Sequence, residues 1–76
     1  MSDEQYYYIG DAAGKIFKYL EQKGENLSTA VKKGAGIDDA ALFNQGLGWL
    51  AREGKIRLTQ SGKNVKIGLQ PAASQV

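Results

Sequence analysis

The sequence contains no cysteine and no histidine. Without cysteine the chain forms neither disulfides nor thiolate metal sites, and without histidine it lacks the commonest general base and metal ligand. Its apolar runs are too short to span a bilayer, and its first residues carry two acids and no base, unlike a secretory signal. These absences predict a cytoplasmic binding module with no catalytic site, no metal, no cofactor, no small-molecule substrate and no membrane partner.

The composition that is present is that of a small globular domain. The chain has 76 residues, which is the length of one domain, and 42% of these residues are hydrophobic and 24% are charged. Charge is uneven along the chain: residues 52–76 carry five basic residues and one acid, whereas residues 1–26 carry three basic residues and five acids. A local excess of positive charge in the C-terminal third can attract a polyanion.

Hydrophobic periodicity predicts a first helix over about residues 10–23, which Gly24 ends. The three tyrosines before it, Tyr6, Tyr7 and Tyr8, are expected to pack the start of this helix onto the core. A strip on which nucleic-acid bases stack is the alternative role for these rings.

Two further helices are predicted after a short extended segment at residues 25–27. Ser28 is the expected N-cap of the second helix, and Asp38 is the expected N-cap of the third, which runs to about Glu53. Trp49 on the third helix is expected to pack beneath a C-terminal hairpin, with an interface anchor as the alternative role.

The period changes from 3.6 to 2 after the third helix, which predicts two strands. A two-residue turn at Gly62 and Lys63 fits a type II′ hairpin and places Leu58 opposite Ile67 on a wholly apolar face. A shift of one residue would set apolar against polar side chains at every pair, so the register is well determined.

The predicted order is helix, short strand, helix, helix and hairpin, which is the α+β winged helix-turn-helix arrangement. The predicted domain covers residues 6–69, with flexible tails at residues 1–5 and 70–76. Two segments, IGDAAGKIF at residues 9–17 and GLGWLAREGKI at residues 46–56, resemble a family of small, uncharacterised bacterial winged helix-turn-helix proteins, a domain of unknown function. The resemblance implies a nucleic-acid-binding fold, but a fold does not by itself give a function.

Basic and polar side chains point to weak, salt-dependent binding of double-stranded DNA by a regulator-like module. The third helix would enter the major groove, and the basic hairpin would contact phosphates. Asp38 and Asp39 repel phosphates at the start of that helix, so the hairpin is the favoured contact. A solvated surface explains the lysines equally well. The candidate contacts are Lys32, Lys33, Asn44, Gln45, Arg52, Arg57, Lys63 and Lys66.

Small residues on the third helix support an alternative function, a winged helix that binds a protein partner or a second copy of the chain. Ala41, Gly48 and Ala51 form a nearly uncharged surface that another helix could approach closely. Gly48 is the strongest sign, because an exposed glycine within a helix costs about 1 kcal/mol relative to alanine.

Overall fold

The structure contains three helices and three strands in the predicted order along the chain, and the three strands form one antiparallel sheet. The computed structural model describes residues 2–70, with side chains described from Tyr7 onward. The elements are α1 (Ser2–Lys23), β1 (Asn26–Leu27), α2 (Ser28–Gly34), α3 (Ala40–Arg52), β2 (Ile56–Ser61) and β3 (Asn64–Leu69). The predicted α+β class is therefore confirmed.

The first helix begins at Ser2 rather than at about residue 10. Tyr7 and Tyr8 lie within it and are 69% and 53% exposed, so the prediction that they pack onto the core is wrong. The side chain of Tyr6 lies outside the described residues. The predicted start followed the apolar stripe, which begins only at Ile9, although no helix breaker precedes it and acids favour a first helical turn.

The two predicted tails have different outcomes. Residues 2–5, which were expected to be a flexible tail, belong to α1. At the other end, the backbone N–H of Gln70 donates to the carbonyl of Lys55 at 2.9 Å, which extends the hairpin by one pair. Residues 71–76, the remainder of the predicted C-terminal tail, lie outside the described residues.

Both N-caps differ by one residue from the prediction. Ser28 is the first residue of α2, and the N-cap is Leu27, which makes no side-chain hydrogen bond. Asp39, not Asp38, caps α3, because its carboxylate accepts hydrogen bonds from the backbone N–H groups of Ala41 and Leu42 at 2.9 and 3.1 Å. The prediction that an aspartate caps α3 is therefore correct in residue type, but the cap is Asp39 and not its neighbour Asp38.

The core lies where α1 and α3 cross and where the sheet covers them. The two helices approach closely at the buried Gly46, where a Cβ atom would lie 3.1 Å from the backbone nitrogen of Ala13 and 3.2 Å from Ala12 Cβ. The buried apolar residues are Ala12, Ala13, Ile16, Leu20, Val31, Ile37, Phe43, Leu47, Leu50, Ile56 and Ile67.

The hairpin has the predicted register. Leu58 pairs with Ile67. A type II′ turn needs a positive φ at its first central residue only, and Gly62 has φ of 62° whereas Lys63 is not among the residues with positive φ. Strand β1 pairs with the other side of β3, so the sheet order is β1-β3-β2. The inner face is less uniform than predicted, because Ile67 is fully buried and Leu58 is 48% exposed.

Candidate nucleic-acid interface

Three basic side chains lie together on the hairpin. Arg57 is opposite Gly68 and Lys66 is opposite Thr59, so these two cations are diagonal neighbours on the outward face of the sheet. Lys63 lies in the turn, and all three residues are exposed. Within the described part of the chain, none of the three is in an ion pair. We call Arg57, Lys63 and Lys66 the wing cations.

One acid, Glu25, lies beside this basic surface. A Cβ atom at Gly68 would be 3.3 Å from both Cβ and Cγ of Glu25, so the acid occupies the space that a side chain at Gly68 would fill. Because Gly68 pairs with Arg57, Glu25 lowers the positive potential at that end of the wing. Sequence reasoning missed Glu25, and its only signal was a strand glycine, which often marks a close approach.

The exposed side of α3 carries little charge. Asn44, Gln45 and Arg52 are exposed as predicted for a groove-reading helix, but Arg52 is the only charged residue between Ala40 and Arg52. The helix N-terminus, which could otherwise hold a phosphate, is already capped by the Asp39 carboxylate. This helix can therefore offer hydrogen bonds to base edges but adds little attraction to the phosphate backbone.

Lys32 and Lys33 are adjacent in sequence but have different surroundings. Lys32 is half-buried, and its Nζ donates to the carbonyl of Asp38 at 2.9 Å, across the turn that joins α2 to α3. Gly36, with φ of 75°, provides the reversal in this turn. Lys33 is exposed. Of the two, Lys33 is accessible to a phosphate, and Lys32 fixes the turn.

A second basic group, absent from the sequence prediction, lies on α1. Tyr19 packs against Gly34 at the end of α2, where a methyl group would overlap its ring, and its hydroxyl accepts a hydrogen bond from Asn26 at 3.3 Å. Around Tyr19 is a shallow depression of about 320 Å³ that contains three lysines. Its lining consists of Lys15, Lys18, Tyr19, Gln22, Lys23, Gly34 and Ala35.

The proposed small-residue surface on α3 is only partly a single site. Ala41, Gly48 and Ala51 are all exposed, but only Gly48 lines the groove between α1 and α3. Trp49 also lines this groove and is 40% exposed, so the prediction that it packs beneath the hairpin is wrong. The groove measures about 490 Å³ and is lined by Ile9, Gln45, Gly48, Trp49, Arg52 and Glu53.

Between residues 2 and 70, no group of three or more acidic side chains is placed to hold a metal ion. None of the helices in that range combines the length and the apolar composition needed to cross a bilayer.

A protein-family model described as a winged helix-turn-helix domain (DUF2582) matches residues 1–69. No curated protein matches the sequence.

Proposed function

Because it matches the family model over residues 1–69, the chain belongs to the winged helix-turn-helix family DUF2582, and we propose that it is a regulator-like module that binds double-stranded DNA through its wing cations. The observation that supports the proposal is the clustering of Arg57, Lys63 and Lys66 on one face and the tip of the hairpin, where all three are exposed and form no ion pair with any side chain between residues 7 and 70. Exposed cations at this spacing can follow a phosphate backbone.

The charge distribution supports backbone binding more than base reading. The third helix brings only Arg52 as a cation, and Asp39 closes its N-terminus to phosphate. Asn44 and Gln45 can contact adenine edges and Arg52 can contact guanine, but only after the wing has positioned the domain. Binding is therefore expected to be weak and to depend little on sequence.

The test is a titration of a labelled duplex of mixed sequence at several salt concentrations. Three phosphate contacts give a slope of about −3 when the logarithm of the association constant is plotted against that of the salt concentration. Replacing Arg57, Lys63 and Lys66 together by Ala is expected to abolish most binding and to flatten the slope.

A matched control separates the wing from net charge. Replacing Lys15, Lys18 and Lys23 by Ala removes the same charge from the α1 depression and is expected to leave the slope nearly unchanged. Glu25→Gln is expected to tighten binding, because it removes the acid beside the wing. Equal losses in the two triple variants, or no binding by the wild type at low salt, would contradict the proposal.

A further inference from the structure

The groove between α1 and α3 lies at the end of the domain where α1 begins. Near the middle of α3, Gly46 packs against Ala13, whereas Trp49 and Glu53, further along the chain, share the groove with Ile9. The two helices are therefore antiparallel, and the turns of α1 that precede Ile9 extend past the C-terminal end of α3.

The groove keeps open space beside an exposed aromatic ring. A Cβ atom at Gly48 would meet no atom of the described residues within 4 Å, so none of their contacts requires glycine there. A glycine in this position lowers helix stability relative to alanine. Trp49, next to it, is 40% exposed. An incoming helix could approach the α3 backbone closely at Gly48 and cover Trp49.

The first turns of α1 carry side chains that suit this groove. Tyr7 and Tyr8 are exposed, and their rings are in edge-to-face contact with centroids 5.5 Å apart. Together with Trp49 they are three of the four large apolar side chains exposed between residues 7 and 70; the fourth, Leu58, is on the wing. Exposed aromatic side chains gathered at one end of a small domain are typical of an interface.

We propose that residues 2–8 of a second copy of the chain fill this groove, so that the protein is a dimer with two-fold symmetry. In such an interface each copy inserts its residues 2–8 into its partner and receives the partner's residues 2–8 in its own groove. The inserted segment and the groove must therefore lie next to each other on one molecule. Here Ile9 lines the groove, and Tyr8 lies about 100° around the same helix from it, so the inserting surface borders the groove on the Tyr8 side. This inference does not rest on the proposed DNA binding.

Charge favours this occupant over a polyanion. Residues 2–8 contribute two acids and no base, and Arg52 in the groove can attract them. Arg52 is the one cation among the described lining residues and Glu53 lies beside it, so the groove offers a single contact for an acid, whereas nucleic acid needs several cations and would gain little there. A short acidic and aromatic helix segment therefore fits the groove better than DNA does.

The oligomeric state is tested by sedimentation of the full chain over a wide concentration range. Trp49 is the only tryptophan in the sequence, so its fluorescence reports directly on the groove. A dimer that dissociates on dilution, with tryptophan emission moving to longer wavelength, is the expected result. A wild type that stays monomeric up to about 1 mM would overturn the proposal.

Substitutions locate the interface. Trp49→Ala, or Tyr7→Ser with Tyr8→Ser, is expected to weaken the dimer at least about 30-fold. Gly48→Gln adds a side chain where the domain has open space, so it keeps the fold, checked by circular dichroism, and is also expected to abolish association. Leu58→Ala, which removes the exposed apolar side chain of the wing, is the matched control and leaves the dimer intact.

Disulfide trapping tests the specific pairing, since the natural chain has no cysteine. Tyr8→Cys and Gly48→Cys proteins each carry one thiol, so a disulfide formed on mixing them must join two copies. This pair is expected to cross-link faster than Lys63→Cys with Gly48→Cys. A dimer that is insensitive to Trp49→Ala, or that cross-links no faster than the control pair, would overturn the proposed interface.

Discussion

Gly46 and Gly48 lie two positions apart on α3 and have opposite surroundings. Gly46 faces α1, where a Cβ atom would be 3.1 Å from the backbone nitrogen of Ala13 and 3.2 Å from Ile16 Cδ1. Gly48 faces the groove, with open space around it. The first glycine is required by helix packing, whereas no contact among the described residues requires the second.

The same substitution is therefore expected to have opposite effects at the two positions. Gly48→Ala should raise the free energy of unfolding by up to about 1 kcal/mol through helix propensity. Gly46→Ala brings the same gain in helix propensity, but the added methyl group overpacks the contact with α1, which costs about 1–3 kcal/mol in a close-packed interior. The net effect of Gly46→Ala is therefore destabilising. Urea unfolding measures both.

The comparison is made in the Trp49→Ala background, so that association does not contribute to either value. A Gly46→Ala protein more stable than its parent would show that α1 can move away from α3 at little cost.

At the scale of elements, the hairpin consists of a buried base and an exposed wing. Ile67 and Leu58 form one cross-strand pair, yet the exposed fraction is 0% for Ile67 and 48% for Leu58. β3 lies in the middle of the sheet, whereas β2 lies at its edge and is buried only at Ile56. The register therefore decides which face a side chain is on, and the position in the sheet decides how deeply it is buried.

Truncation of the two side chains should separate these effects. Ile67→Ala is expected to lower the free energy of unfolding by about 2–5 kcal/mol, because it leaves a cavity in the core. Leu58→Ala should cost less than about 1 kcal/mol, since about half of the side chain is already in water. Thermal unfolding followed by circular dichroism measures both, and equal losses would mean that the wing folds back onto the core.

Elements defined by periodicity were predictable, and those defined by distant contacts were not. The alternation around Leu58 and Ile67 determined the hairpin register, which is confirmed. The predicted start of α1 was wrong because the apolar stripe that defines the helix in the sequence begins only at Ile9. The contact of Tyr19 with Gly34 joins α1 to the end of α2, and neither residue has a local pattern that indicates it.

At the scale of the whole molecule, one candidate site was predictable from the sequence pattern and the other, which depends on distant contacts, was not. The wing cations were predictable, because the hairpin register alone places Arg57 and Lys66 on one face. The α1–α3 groove was not, since it depends on the antiparallel crossing at Gly46 and on the extra turns of α1. With 22 residues, α1 is about 33 Å long, close to the longest dimension of the domain, 36 Å. A single helix thus extends over nearly the full length of the molecule.

The free edge of β2 has a consequence for the exchange of backbone hydrogens with solvent. The N–H of Gln70 donates to the carbonyl of Lys55, and in an antiparallel pair such bonded positions recur at every second residue. Along β2 the odd-numbered residues therefore bond to β3. The even-numbered N–H groups face the outer edge of the sheet, which no strand between residues 2 and 70 covers.

Amide exchange along β2 should therefore alternate. Arg57 and Thr59 are expected to exchange slowly, and Leu58 and Gln60 rapidly, although all four side chains are exposed. Deuterium exchange followed residue by residue by NMR measures these rates. A shift of one residue in the pairing would invert the alternation, and a strand added to the edge would slow the fast positions, so one set of rates reports both the register and the open edge.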